Sequence, residues 1–323
     1  MSTPERTHTY AGLIYDSARW DQFTLRDGDI IVCTPPKSGT TWTQMLCALL
    51  VHQSATLPQP LTRLSRWLER LAQPIEEVVA DFDAQPFRRV IKTHTPLDGI
   101  PFDPRAIYVV CGRDPRDAFL SMMDHLDNFS DETVAEIMGR LRAQGESLPF
   151  PKDPNLLFPV WMTTPEKPWM DDGFPWGSAF YYMRSFWKFR RLSNIVFLHY
   201  VDLSDDLDAE MRRLSAFLKI PIDEARWPSL VAAARFDAMK AIGDEAAPGA
   251  HLGEWRDATA FFKTARRGQW RDALSPANQA LYDRLSVQRL EPRLKAWLEG
   301  GRRAADPKAG APEEQLGDRH SLE

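Results

Sequence analysis

The sequence contains little cysteine and no long hydrophobic segment. Its three cysteines, Cys33, Cys47 and Cys111, are too few for a disulfide framework and fit a reducing compartment. The longest clearly apolar run covers residues 45–51, whereas a membrane-spanning helix needs roughly 20 residues. The N-terminus also lacks the apolar core of a signal peptide. These absences predict a cytoplasmic protein without a transmembrane segment.

An excess of positive charge is also missing. The 40 lysines and arginines are outnumbered by 45 aspartates and glutamates, which gives a net charge of −5. The pI is about 5.9. This balance argues against a nucleic-acid partner, but it is compatible with a local basic pocket. No cysteine and histidine spacing typical of a zinc site occurs, so we predict no metal centre.

Short apolar runs bounded by turn residues predict the strands of the fold. They cover residues 30–33, 90–91, 107–111 and 195–198. Apolar side chains recur at helical spacing between and after them, for example from Trp42 to Leu50 and over 206–218. This alternation predicts an α/β fold with a central parallel sheet and helices on both faces. Ligands bind such sheets beyond the carboxyl ends of the strands.

The chain is predicted to form one domain over residues 1–299, followed by a polar tail over 300–323. Within the domain, residues 149–176 are rich in proline and tryptophan, and the prolines exclude a long helix or a central strand. We expect a covering loop here, either ordered or acting as a mobile lid. Its aromatic side chains either line an apolar acceptor pocket or pack the loop onto the body. They are Phe150, Phe158, Trp161, Trp169, Phe174 and Trp176.

The segment 34–42 follows the first strand and opens a helix. Backbone N–H groups and the dipole at a helix N-terminus favour an anion. Gly39 allows close approach of the backbone, and Lys37 adds a cation. Hydroxyl groups come from Ser38, Thr40 and Thr41. The pattern predicts a P-loop-like phosphate cradle, although its lysine precedes the glycine, unlike the order in nucleoside-triphosphate loops.

Two further segments with chemistry-bearing residues follow strands. Lys92 and His94 lie just after the second strand, where a base beside a cation suits a reaction that develops negative charge. Arg113 ends the third strand, and Ser121 lies eight residues further on. An arginine in this position can hold a phosphate bidentately.

Together these motifs resemble the cytosolic-type family of sulfotransferases that use 3′-phosphoadenosine 5′-phosphosulfate (PAPS). Residues 36–42 read Pro-Lys-Ser-Gly-Thr-Thr-Trp and residues 92–94 read Lys-Thr-His, as in that family. Arg113 and Ser121 match its arginine and serine, and residues 261–272 look like a variant of its C-terminal segment. The resemblance extends from about residue 28 to residue 290. The chain looks most like mycobacterial glycolipid and small-molecule sulfotransferases.

The resemblance implies PAPS as donor cosubstrate, without a metal. It implies that Lys37, Ser38, Gly39, Thr40 and Thr41 hold the 5′-phosphosulfate. Trp42 and Phe236 would flank the adenine near Tyr200, and Arg113 and Ser121 would hold the 3′-phosphate. His94 would act as general base, while Lys37 and Lys92 stabilise the transferring group.

The basic residues near the C-terminus fit the family in two registers. Anchoring on Gly268 and Trp270 places Lys263 where the family has its basic residues. A shifted register uses Arg266, Arg267 and Gly268 instead. Both sets are candidates for the 3′-phosphate contact.

The expected activity is transfer of a sulfuryl group to a hydroxyl of a small, largely apolar acceptor: a lipid, a glycolipid, or an aryl or alkyl alcohol. One alternative is a nucleoside-triphosphate-dependent kinase for small molecules on a related fold. Another is a non-catalytic nucleotide-binding protein. A lipid acceptor would allow peripheral contact with a membrane, and the sequence leaves the oligomeric state open.

Overall fold

A computed structural model describes residues 3–143, 152–249, 253–257, 259–262 and 267–309. Its sheet consists of four parallel strands in the order β2-β1-β3-β4. The strands are β1 (Ile30–Cys33), β2 (Val90–Thr93), β3 (Ile107–Gly112) and β4 (Ile195–His199). In the register of the central strand, Ile31 pairs with Ile91 on one side and Tyr108 on the other. The predicted parallel sheet and its four strands are therefore confirmed.

Helices connect and cover these strands. In chain order they are α1 (Thr40–His52), α2 (Leu61–Leu64), α3 (Ile75–Asp83), α4 (Pro115–Asp127), α5 (Asp131–Ala143), α6 (Pro154–Thr163), α7 (Ala179–Trp187), α8 (Tyr200–Asp205), α9 (Leu207–Leu218), α10 (Trp227–Ala233), α11 (Phe236–Ala241), α12 (Gly243–Ala246), α13 (Trp270–Ala273), α14 (Pro276–Arg289) and α15 (Pro292–Gly300). Short 3-10 helices cover Ser17–Gln22, Leu97–Gly99, Glu224–Arg226 and Thr259–Phe262. Within the described ranges, no helix is long and apolar enough to cross a membrane.

Both faces of the sheet are buried, because successive strand residues point to opposite sides. Ile31 and Val110 belong to a core formed with α7 and α15, whereas Val32 and Val109 belong to a second core formed with α1 and α9. Every residue of β1 is buried, as expected for a central parallel strand. The sheet thus provides a rigid base for the loops at its carboxyl edge.

The proline-rich stretch contains a helix that its composition does not indicate. Helix α6 includes Pro159 in its interior, which has no N–H to donate to the carbonyl of Asn155. The side chain of Asn278 in α14 donates to that carbonyl instead, over 3.1 Å. Asp153 caps the helix, and Pro154 occupies its first turn. A tertiary contact therefore compensates for the internal proline.

The end of β3 lies against α15, the last helix in the described part of the chain. A Cβ atom added to Gly112 would lie only 2.4 Å from the ring of Trp297 in α15. Glycine thus allows a close contact between strand and indole one residue before Arg113. Trp297 is almost fully buried among aromatic side chains.

Candidate active site

A cavity of about 690 Å³ opens beyond the carboxyl ends of the strands, lined by residues that follow all four of them. It brings together most of the residues that the sequence motifs single out. Those that line it are Lys37, Gly39, Thr40, Thr41, Trp42, Lys92, His94, Arg113, Ser121, Tyr200 and Phe236. Ser38 is buried in the loop between β1 and α1. The location agrees with the general rule for open parallel sheets.

The loop between β1 and α1 exposes a helix N-terminus to this cavity. Gly39 is the N-cap residue and adopts a left-handed conformation with φ 94°. Because glycine has no side chain, it leaves the first-turn N–H groups of α1 without a side-chain cap. The hydroxyl groups of Thr34 and Thr40 lie 2.6 Å apart and fix the loop across its base. This arrangement presents amides and hydroxyls to an anion.

Lys37 is the loop's cation. Its Nζ lies 3.1 Å from Nδ1 of His125 and 4.4 Å from the ring centre of Phe261. Burial, Arg113 and Lys92 lower the pKa of Lys37 to about 7. A bound anion would offset these effects and favour the charged ammonium.

Lys92 approaches the cavity from β2. Its Nζ lies 4.8 Å from the ring centre of Trp67, a cation–π distance. Burial and the nearby Arg70 lower the pKa of Lys92 to about 7, against the opposing effects of Glu254 and Glu69. Two lysines with lowered pKa values thus face one cavity, as expected of a site built to receive an anion.

His94 has a fixed orientation. Its Nδ1 lies 2.8 Å from the carbonyl oxygen of Thr34, which can only accept, so Nδ1 carries the proton. In the neutral ring, Nε2 then keeps its lone pair. Burial, together with Lys92 and Lys37, holds the pKa of His94 well below its usual range. His94 is therefore an uncharged base at neutral pH.

Arg113 lies among aromatic and loop groups at the end of β3. Its guanidinium lies 4.4 Å from the ring centre of Tyr200 and donates to the carbonyl oxygen of Lys37 over 3.2 Å. Tyr200 in turn meets the ring of Trp42 edge to face, with 5.3 Å between ring centres. The indole N–H of Trp42 donates to the carbonyl oxygen of Ala234 over 2.8 Å. These contacts fix the orientation of both rings.

The C-terminal basic segment is partly described. Gly268 donates its amide to Asp117 over 2.7 Å, and Trp270 donates to the same carboxylate over 3.4 Å. Arg267 is half exposed and pairs with Asp205 over 2.7 Å. Lys263 and Arg266 lie outside the described residues. Asp117 therefore anchors the segment to the first turn of α4.

The sequence motifs did not identify several cavity residues. His125 lies four residues after Ser121, on the same face of α4, so helical spacing could have revealed it. Tyr15, Trp67 and Glu166 lie far from any motif, and only the fold brings them to the cavity. In the described part of the chain, no group of three or more metal-binding side chains could hold an ion.

The aromatic side chains of the proline-rich stretch lie in different surroundings. Trp176 lines the cavity, whereas Phe158 and Trp161 pack against Phe119 in the core. Trp169 stacks on His8, with 4.2 Å between ring centres. Phe150 lies outside the described residues.

Comparison with known proteins gives consistent matches. The model of the sulfotransferase domain family matches residues 27–292. A glycolipid sulfotransferase of Mycobacterium tuberculosis is 38% identical over 312 residues, covering 92% of this chain and 96% of that protein. Mouse sulfotransferase 2B1 is 25% identical over 267 residues, covering 80% and 70% of the two chains.

Solved structures share the fold. Mouse sulfotransferase SULT7A1, complexed with PAP (adenosine 3′,5′-bisphosphate), superposes with a TM-score of 0.65 at 19% identity. The match covers 91% of this chain and 94% of that one. A retinol dehydratase in complex with androsterone and PAP gives a TM-score of 0.60 at 19% identity, covering 86% and 87%.

Proposed function

The chain belongs to the sulfotransferase domain family, and from this premise we propose that it transfers a sulfuryl group from PAPS to a hydroxyl of a largely apolar acceptor. The observation that carries the proposal is the convergence of Lys37, Lys92 and His94 on one cavity at the N-terminus of α1. Two cations and an uncharged base in this position suit transfer of an anionic group to an alcohol.

The cavity residues fit the donor in charge and shape. We propose that the loop from Lys37 to Thr41 holds the 5′-phosphosulfate at the uncapped start of α1. Arg113 and Ser121 would hold the 3′-phosphate, with a basic residue of the 263–268 segment. Trp42, Tyr200 and Phe236 would enclose the adenine. The two solved structures named above contain PAP, the desulfated nucleotide, which supports this choice of donor.

When bound, PAPS supplies the sulfuryl group, which passes to the acceptor oxygen as its bond to the 5′-phosphate oxygen breaks. We propose that Nε2 of His94 accepts the proton of the acceptor hydroxyl and later releases it to solvent. The hydrogen bond from Nδ1 to the Thr34 carbonyl oxygen keeps Nε2 available for this task. Lys37 and Lys92 would stabilise the negative charge on the leaving phosphate oxygen.

Many apolar side chains line the cavity and would surround the acceptor. They include Leu13, Ile14, Leu71, Ile137 and Trp176. Such a surface favours a lipid, a glycolipid, or an aryl or alkyl alcohol, and similar proteins of Mycobacterium are named glycolipid sulfotransferases. A lipid acceptor would bring the enzyme to a membrane surface. The three unpaired cysteines support a location in the reducing cytoplasm.

The comparisons do not favour the two alternatives. A kinase on a related fold would use the glycine-lysine order of a nucleoside-triphosphate loop, whereas Lys37 precedes Gly39. A non-catalytic nucleotide-binding protein would have no need of an oriented, uncharged base such as His94 beside Lys92.

Calorimetry with adenosine 3′,5′-bisphosphate (PAP) and with AMP, which lacks the 3′-phosphate, tests the donor. We expect tight binding of PAP and weak binding of AMP. Turnover with PAPS and an alkyl alcohol should persist in the presence of a metal chelator. Equal or absent binding of both nucleotides would overturn the proposal, as would turnover with ATP and magnesium in place of PAPS.

A further inference from the structure

Glu166 is a carboxyl in the cavity wall that the proposed transfer chemistry does not use. It lies between α6 and α7, and its Oε1 accepts a hydrogen bond from the hydroxyl of Tyr15 over 3.3 Å. Burial raises the pKa of Glu166 to about 7, which outweighs the opposing effects of Lys167 and Tyr15. A carboxyl held in this way has capacity for further hydrogen bonds on the cavity side.

This carboxyl lies beside the phosphate-binding loop. A Cβ atom added to Gly177 would lie 3.7 Å from Oε2 of Glu166 and 4.0 Å from Cδ of Pro36. Pro36 directly precedes Lys37. Glu166, Gly177 and Pro36 therefore lie together in the lining of the cavity.

A continuous line of contacts joins Glu166 to His94. The ring of Tyr15 stacks on Trp67 at 6.0 Å, and Trp67 meets the ring of His94 edge to face at 5.0 Å. An acceptor that presents one hydroxyl to His94 would place its adjoining groups along the cavity wall that Trp67 and Tyr15 form. Glu166 lies at the far end of the wall.

The charges around the cavity restrict the chemical groups that the acceptor can place near Glu166. Of the other charged residues in the lining, Arg70 pairs with Glu254 and Arg140 pairs with Glu136. Lys37, Lys92 and Arg113 then outnumber Asp124 in the same lining and disfavour an ammonium group. Hydroxyl groups remain as the donors that a buried carboxyl needs, and one carboxyl can accept from two of them. Tyr15 already donates to Oε1, so a bound apolar acceptor would leave Oε2 without a donor, which would cost free energy.

We propose that Glu166 determines acceptor specificity by binding hydroxyl groups of a polyhydroxylated headgroup, such as a sugar ring, beside the hydroxyl presented to His94. This inference rests on the proposed function and narrows the acceptor class. The apolar part of the same molecule would lie against Ile14 and Leu71, which line the cavity and are 36% and 42% exposed. The acceptor is then an amphiphile with its polar end inside.

The test compares octyl β-glucoside with 1-octanol as acceptors, for the wild type and for Glu166→Gln. The measurements are made at pH 8, above the pKa of Glu166 of about 7, where the substitution keeps the shape of the side chain and removes its charge. We expect kcat/KM for the glucoside to fall about tenfold, mainly through KM, because hydrogen bonds to charged groups are the stronger ones. Turnover of 1-octanol should change by less than about twofold.

Binding of both acceptors to the PAP-loaded protein is measured in parallel by tryptophan fluorescence, since Trp67 and Trp176 line the cavity. Tyr15→Phe should weaken glucoside binding by a smaller factor. Asp171→Asn, an exposed carboxylate of the same loop that pairs with Arg184, serves as the matched control. Affinity for PAP and the thermal midpoint verify that each variant is folded.

Equal losses for both acceptors in Glu166→Gln, or no loss for either, would overturn the inference. The inference about Glu166 would then fail. Transfer from PAPS to 1-octanol by the wild type would still support the proposed function. If the wild type transfers to neither acceptor, the proposed function is in question, and fluorescence decides the inference alone. In that case equal binding of the glucoside by wild type and Glu166→Gln overturns it.

Discussion

Nζ of Lys37 lies 3.1 Å from Nδ1 of His125, so the loop between β1 and α1 is joined to the last turn of α4 by a contact between two basic side chains. Burial and Lys37 hold the pKa of His125 well below its usual range. A neutral His125 therefore accepts a hydrogen bond from the Lys37 ammonium. Before the donor binds, this hydrogen bond offsets part of the free energy that burial of the Lys37 ammonium costs.

The first prediction concerns protons taken up when the nucleotide binds. The pKa of Lys37 is about 7 without an anion, so at pH 8 most of the lysine is deprotonated. A bound phosphate raises this pKa and that of Lys92, which is also about 7, so PAP binding at pH 8 should take up between a fraction of a proton and about two protons. Affinity for PAP should accordingly fall as the pH rises from 7 to 9.

Calorimetry at pH 8 in buffers of different ionisation enthalpy measures this uptake. Lys37→Met should reduce it, while Lys188→Met, at an exposed lysine, should leave it unchanged. A binding enthalpy that does not depend on the buffer would contradict the prediction.

The second prediction concerns the base. His94→Asn retains a side-chain N–H that can donate to the Thr34 carbonyl oxygen but removes the basic nitrogen. We expect kcat to fall about 100- to 10,000-fold with PAP affinity unchanged. His52→Gln, outside the cavity, is the control. Rescue of the variant by exogenous imidazole would strengthen the assignment, and wild-type turnover by His94→Asn would exclude it.

The third prediction is the pH profile of the wild type. Because the pKa of His94 is held well below 6.5, the base form predominates at neutral pH and is lost only at lower pH. The acid limb of kcat/KM should therefore lie below pH 6.5, and it should disappear in His94→Asn. An acid limb centred near pH 7 would show that another group controls the rate.

The fourth prediction concerns the 3′-phosphate. Arg113→Lys loses both the planar contact with Tyr200 and the capacity for bidentate binding, so affinity for PAP should fall tenfold or more. Affinity for AMP should change by less than about twofold, because AMP has no 3′-phosphate. Calorimetry measures both values, with Arg105→Lys at the surface as control. Equal losses of affinity for PAP and for AMP would show that Arg113 contacts a part of the nucleotide other than the 3′-phosphate.

The fifth prediction tests the compensation for the proline in α6. Asn278→Ala leaves the carbonyl of Asn155 without its side-chain donor, and we expect a loss of about 1–3 kcal/mol in the free energy of unfolding. Pro159→Ala in the same background should restore part of this loss, since alanine supplies the missing N–H. Denaturant unfolding measures both. A further loss of stability when Pro159→Ala is added to Asn278→Ala would refute the proposed compensation.

Local patterns were sufficient for the strands and for the loop at the start of α1. The run Ile30–Cys33 is apolar throughout and is bounded by turn residues, so its burial follows from composition. Helix α6 was not indicated, because its internal Pro159 depends on Asn278, which lies far along the chain. The link from Asp117 to Gly268 is equally remote in sequence. Such pairs form only when the fold brings them together, and no local preference records them.

Trp297 fills the space beside Gly112 that any larger residue would occupy, and the next residue is Arg113. Arg113, which we propose to bind the 3′-phosphate, therefore depends for its position on the indole of Trp297 in α15. The proposed nucleotide site at the end of β3 therefore cannot be separated from helix α15. A shortened chain that ends before α15 would lose more than a peripheral helix, because the strand end from which Arg113 extends would lose its support.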